Sequence, residues 1–304
     1  MYHYNKLLIP LNLTALDDAA ISYAAMVSTM TPSDKAHFLH VKRPSEVPKD
    51  ILEEYPQLLN PELEDRMQRM KEVAGEKFHG HSETKVVFDI QEGKPLDILL
   101  EQIVEKDIDL VVLGRKADAK ETRQLPIKLA RKAPCSVLVV PEGTKYSISN
   151  ILVPVDFSDF CANAVELAVN VAKANGQTTI HCLHVYNLPI GYSKTGKSEE
   201  EFSEIMLNNA KKSYERFISK IDLKGIEVKP IFMLHDKPAQ AIQNVVNENQ
   251  IDMLVLGTRG RNAGAGLLLG SVTENIILHT RVPILAVKKK GTGLSFLEVL
   301  LKHV

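Results

Sequence analysis

Short apolar runs alternate with segments of helical period along the whole chain. KLLIPL (6–11), ILVPV (151–155), DLVVLG (109–114) and DMLVLG (252–257) are nearly continuous apolar stretches. Runs of this length suit strands buried on both faces of a parallel sheet. AHFLHV (36–41), IHCLHV (180–185), KVVFDI (85–90) and VKPIFML (228–234) read as further strands, and APCSVLVV (133–140) and VPILAV (282–287) hold the last ones. Between strands the period changes. In CANAVELAVNVAKANG (161–176), Ala164, Leu167, Ala168 and Val171 fall at helical spacing. Ser158 and Asp159 are N-cap candidates there, and Asn175-Gly176 is a stop signal. Charged segments from EVPKDILEEYPQ to Phe78 and over SEEEFSEIMLNNAKKSYERFISKI (198–221) read as further helices. The second of these predicts a solvated amphipathic helix whose charges serve solubility. Strand–helix alternation predicts an α/β fold with parallel sheets covered by helices on both faces. In such folds ligands bind beyond the carboxyl ends of the strands, where strand order changes direction.

The pattern occurs twice. KLLIPLNLT (6–14) aligns with NILVPVDFS (150–158) at an offset of 144, which pairs Pro10 with Pro154 and Asn12 with Asp156. His37 to Val41 aligns with His181 to Val185 at the same offset. Gly93-Lys94-Pro95 pairs with Asp236-Lys237-Pro238, and IDLVVLG with IDMLVLG, at an offset of 143. By the last strand the offset is 149, so the first copy has lost six residues just before it. The expected division is therefore 1–141, 149–288 and a tail, 289–304, with PEGTKYSIS (141–149) as linker.

The segment that differs carries the candidate chemistry. After IDMLVLG the second copy runs from Gly257 to Glu274 as GTRGRNAGAGLLLGSVTE. Glycines let a ligand approach the backbone closely. Ser271 with Glu274 forms a capping-box pattern before VTENIILHT, so the loop is expected to end at a helix N-terminus, which favours anions such as phosphate. Arg259 and Arg261 add positive charge, and Ser271 and Thr273 add hydroxyls. The spacing matches neither GxxxxGK[ST] nor GxGxxG. From the loop alone, a flexible connection capped by a serine also stands.

Gly257, Gly260 and Gly270-Ser271 form G-x2-G-x9-G-[ST], which resembles the nucleotide-binding signature of the universal stress protein family. Pro154-Val155-Asp156 matches the family's Pro-x-Asp at the end of the first strand, and His184-Val185 matches the His-Val that ends the second. The resemblance implies two tandem domains of the adenine-nucleotide alpha-hydrolase-like fold, paired inside one chain as a pseudo-dimer. It implies an adenosine end at Pro154, Val155, Asp156 and Val185. It implies a ribose and phosphate end at Leu256, Gly257, Arg259, Gly260, Gly270, Ser271, Val272 and Thr273. ATP or another adenine nucleotide, with magnesium, is the implied ligand. The first copy departs from the signature: Asn12 replaces the aspartate, Ala117 replaces the second glycine, and the Gly-Ser turn is missing. It is expected not to bind ATP in the family manner.

Composition narrows the remainder. The 304 residues are 44% hydrophobic and 25% charged, with a formal net charge of −1, which does not favour a nucleic-acid partner. No apolar run approaches the ~18 residues that span a bilayer, so no membrane association is expected. Cys135, Cys161 and Cys182 form no CxxC pair and suit reduced thiols in the cytoplasm. The pairs His37/His40 and His181/His184 sit three apart on strands, which turns each pair to opposite faces and disfavours a shared metal. His79-Gly80-His81 reads as a solvated loop. The tail LSFLEVLLKHV aligns Leu294, Leu297, Leu300 and Leu301 on one helical face, for docking on its own body or a partner. No catalytic or metal residues are assigned. The leading reading is a stress-response protein binding ATP at one site in the second copy, rather than a dedicated enzyme. A slow ATP hydrolase using the same loop, and an interaction module without nucleotide, stay open. So does a homo-oligomer or another protein partner.

Overall fold

The computed structural model describes residues 4–31, 33–43, 49–55, 62–78, 83–116, 124–258 and 269–289. The chain forms two compact units, one reaching to Tyr146 and the other running from Ser147 to Lys289. Tail residues 290–304 and His79-Gly80-His81 lie outside the described residues.

In the first unit the order is β1 (Lys6–Leu11), α1 (Leu16–Met30), β2 (Lys35–Lys42), α2 (Lys49–Glu54), α3 (Glu62–Phe78), β3 (Lys85–Glu92), α4 (Pro95–Glu105), β4 (Leu110–Arg115), α5 (Gln124–Lys132) and β5 (Ser136–Pro141). The second unit has β6 (Ile151–Pro154), α6 (Asp159–Ala174), β7 (Thr179–Tyr186), a 3-10 turn (Tyr192–Thr195), α7 (Glu199–Ile218), β8 (Glu227–Leu234), α8 (Pro238–Glu248), β9 (Met253–Gly257), α9 (Ser271–His279) and β10 (Ile284–Val287).

Within the first unit the strands lie in the order β3-β2-β1-β4-β5, and within the second β8-β7-β6-β9-β10. The pairs β1–β2, β1–β4, β2–β3 and β4–β5 are parallel. So are β6–β7, β6–β9, β7–β8 and β9–β10. Each sheet starts at its centre, winds to one edge, then returns to build the other side. The switch points are β1/β4 and β6/β9. The central strands are the ones with continuous apolar runs: Leu7, Leu8, Ile9, Val111 and Val112 are buried, as are Ile151, Leu152, Val153, Leu254 and Val255. The edge strands β3 and β8 are only partly buried along their length.

Helix boundaries follow local chemistry. Ser158 is the N-cap of α6, and Asn175-Gly176 ends it, with Gly176 at φ +68°. The buried stripe of α6 runs through Cys161, Ala164, Val165, Leu167, Ala168, Val169 and Ala172, leaving Val171 half-buried. Pro95 and Pro238 open α4 and α8 at the position where a missing N–H costs nothing. The charge run of α7 has a local cause. Ser198 accepts from the Glu201 N–H at 3.2 Å while the Glu201 carboxylate accepts from the Ser198 N–H at 2.8 Å. Glu199, Glu200 and Glu201 thus sit at the positive end of the helix dipole.

No helix among the described residues is long and apolar enough to cross a membrane.

Candidate functional site

A cleft of about 610 Å³ opens at the carboxyl ends of β6, β7 and β9, at the switch point of the second unit. Small-molecule sites span roughly 300–1,000 Å³, so its size suits one ligand. Pro154, Val155, Asp156, Val185, Leu256, Gly257, Gly270, Ser271, Val272 and Thr273 all line it. Arg259 and Gly260 lie outside the described residues. Phe157, Cys161, His184, Asn187, Met206, Asn209, Ala210 and Ser213 line the same cleft and were not assigned to a site from the sequence.

One end of the cleft is the turn from β6 into α6. Asp156 Oδ1 accepts the Ser158 N–H at 3.0 Å and the Cys161 thiol at 3.1 Å. Burial, reinforced by the Asp156 charge, pushes the Cys161 thiol up to about 12. The thiol is therefore a neutral donor, not a nucleophile. Phe157 follows at φ +65°, a left-handed conformation unusual for a bulky residue. Its ring stacks on His184 at 4.2 Å and tilts against Phe217 at 5.6 Å. His184 Nδ1 lies 2.9 Å from the Val155 carbonyl, which can only accept, so the proton is on Nδ1. His181, three residues earlier, does not line the cleft, and burial lowers its pKa.

The other end is the start of α9. The expected capping box is corrected here. Gly270, not Ser271, is the N-cap, and α9 has no side-chain cap; the Glu274 N–H donates to the Gly270 carbonyl at 3.0 Å. Ser271 is the first helical residue, one step further in than the sequence pattern suggests. Two bonds pin this helix start to the end of β9. The Gly270 N–H donates to the Thr258 carbonyl at 2.9 Å, and the Thr273 hydroxyl donates to the Gly257 carbonyl at 3.0 Å. The first-turn N–H groups of Ser271, Val272 and Thr273 have no intrahelical acceptor, as at any helix start, and their residues line the cleft. A carboxylate thus stands at one end of the cleft and an anion-favouring helix terminus at the other.

The matching turn of the first unit is built differently. Asp17 occupies the position of Cys161, and its carboxylate accepts the N–H groups of Asn12 at 3.0 Å and Thr14 at 3.2 Å. It is 3% exposed, and burial raises its pKa despite these bonds. His40, the counterpart of His184, keeps the bond to the strand end, with Nδ1 2.8 Å from the Leu11 carbonyl. Its Nε2 takes a hydrogen bond from Arg66 of α3 at 2.9 Å. In the first unit, therefore, the chain's own carboxylate and guanidinium engage the counterparts of groups that line the cleft in the second unit.

Comparison with known proteins agrees with the repeat. The sequence profile of the universal stress protein family matches residues 3–141 and again 147–288. The chain belongs to the universal stress protein family. Universal stress protein E of Photorhabdus laumondii is 21% identical over 319 residues, covering 96% of this chain and 97% of that one. Universal stress protein MJ0577 of Methanocaldococcus jannaschii is 29% identical over 156 residues, covering 47% of this chain and 96% of that protein. The crystal structure of a universal stress protein from Archaeoglobus fulgidus superposes with a TM-score of 0.64 at 19% identity, covering 94% of this chain and 99% of that one. The chain is thus a tandem family member with the family's α/β fold.

Proposed function

We propose that the second unit binds one molecule of ATP or a related adenine nucleotide in this cleft, with magnesium accompanying the phosphates. The nucleotide acts as a regulatory ligand of a cytoplasmic stress-response protein. The adenosine lies toward Asp156 and Val185, and the phosphates lie at the start of α9.

The observation that carries this reading is Gly270. Its backbone has φ −75° and ψ 147°, which any residue adopts. Among the described residues, a Cβ there would meet only the Thr258 carbonyl oxygen at 3.7 Å and the Thr273 hydroxyl at 4.0 Å, ordinary contacts. Neither backbone strain nor packing among the described residues asks for glycine. A bound group pressed against the first-turn N–H groups does, and phosphate is the group a helix start favours. Gly114, the counterpart of Gly257 in the first unit, is the opposite case. A Cβ there would stand 2.5 Å from the Leu16 carbonyl oxygen, so packing alone accounts for it.

Calorimetric titration with ATP and magnesium is the test. The expected result is about one site per chain, weakened at least ~10-fold in Asp156→Ala, since a hydrogen bond to a charged group contributes about 1.5–3 kcal/mol. No binding to the wild type, or two equivalent sites, would overturn the reading.

A further inference from the structure

We infer that Asn209 and Ser213 of α7 read the edge of the nucleotide's base, which rests on the nucleotide reading above. The phosphate end of the cleft is built on β9 and α9. In the sheet, β6 separates β9 from β7 and β8, and α7 packs over β7 and β8. A ligand with its phosphates at Ser271 and its sugar near Asp156 therefore carries its base toward α7.

The α7 wall is made for a flat, polar-edged group. Met206, Asn209, Ala210 and Ser213 face the cleft together, because residues three and four apart share one side of a helix. Met206 and Ala210 offer apolar surface, and methionine adapts to a ring packed against it. Asn209 and Ser213 supply the polar edge. Among the described residues neither side chain has a hydrogen-bond partner. Both residue types are poor inside helices, because their side chains compete for backbone groups. Ser213 does not bond back to the carbonyl one turn earlier, the usual resort of a helical serine. Two residues that cost helix propensity, form no internal bond and line the cleft are placed to meet something in it. An amide presents a donor beside an acceptor. The adenine edge presents its 6-amino donor beside the N7 acceptor, and asparagine meets that pair with two bonds, whereas hypoxanthine offers two acceptors there.

The experiment is titration of ATP and of inosine triphosphate, which differs from ATP at the base edge alone. The proteins are the wild type, Asn209→Ala, Ser213→Ala and Asn208→Ala. Asn208 neighbours Asn209 on α7 but does not line the cleft, so its variant is the control. Alanine is the better helix former, so all three variants keep their thermal stability. The wild type is expected to prefer ATP, and Asn209→Ala to lose about 5- to 10-fold in ATP affinity with little change for inosine triphosphate, as loss of a pair of neutral hydrogen bonds implies. Ser213→Ala is expected to show a smaller loss of the same kind, and Asn208→Ala none. A wild type that binds neither nucleotide overturns the nucleotide reading and this inference with it. A wild type that binds ATP, with Asn209→Ala unchanged or weakened equally for both nucleotides, overturns this inference alone.

Discussion

The Cys161 thiol donates to Asp156 Oδ1 across 3.1 Å, so a thiol on α6 fixes the carboxylate at the β6 end of the cleft. The same oxygen is held by the Ser158 N–H. Cysteine here is a small buried donor, and its proton stays on at any working pH. Cys161→Ser keeps a donor and is expected to bind ATP within about 2-fold of the wild type. Cys161→Ala leaves the carboxylate less well fixed and is expected to lose roughly 2- to 10-fold, the span of a neutral hydrogen bond. Titration of both variants checks this, and equal loss in the two would refute a donor role.

Gly270→Val separates ligand from fold. Among the described residues the site accepts a side chain without strain, and loss of glycine at an N-cap costs at most about 1 kcal/mol. The denaturation midpoint should therefore move little. ATP affinity should fall more than ~10-fold, because the new methyls stand where the phosphates approach. Urea melts and calorimetry on the same preparation read both effects. A variant that binds ATP normally would mean that the phosphates lie elsewhere.

In the first unit, Asp17 holds a turn rather than a ligand. Asp17→Ala leaves the N–H groups of Asn12 and Thr14 without their acceptor in a buried turn, an expected loss of about 2–3 kcal/mol. Asp17→Asn keeps the shape and an acceptor. Its amide nitrogen replaces one of the two oxygens that accept these N–H groups, so Asp17→Asn should lose about 1–2 kcal/mol, less than the alanine variant. Neither change should alter ATP stoichiometry. Urea midpoints and titration together decide.

Acid should weaken the fold through two strand histidines. Burial lowers the pKa of His37, and the Lys106 charge acts next in the same sense; burial then Lys229 do so for His181. Below the unfolded value of about 6.5 the unfolded chain takes up protons that the folded chain refuses. Their stabilisation is thus present above that value and lost as pH falls through the depressed folded values. The urea midpoint is expected to drop between about pH 7.5 and 5.5, and to drop less in a His37→Gln, His181→Gln variant. Parallel losses in both proteins would exclude these histidines as the cause.

The strands and both halves of the repeat were legible because continuous apolar runs have few other uses. The helix start at Gly270-Ser271 was legible to within one residue; glycine served as the cap where the pattern favoured serine. The α7 wall was not legible. Its run of glutamates hides the period, and Asn209 and Ser213 read as surface until the helix is seen over the ends of β7 and β8. The exchange of Asp17 for Cys161 stands in the alignment at an offset of 144. Its meaning does not, because nothing in sequence says that both side chains turn back onto the strand end. Arg66 reaching His40 is a contact between elements far apart in the chain, beyond any local pattern.

Gly114 has a wider consequence. A glycine surviving in a decayed motif invites the view that some binding capacity survives with it. At 2.5 Å from a helix carbonyl, this one is retained by the crossing of α1 and β4, which would demand it in a protein that had never met a nucleotide. A half-matched signature can thus record how closely two elements pass rather than a ligand once held. Rebuilding a site in the first unit by restoring lost glycines would leave Asp17 and Arg66 in its way.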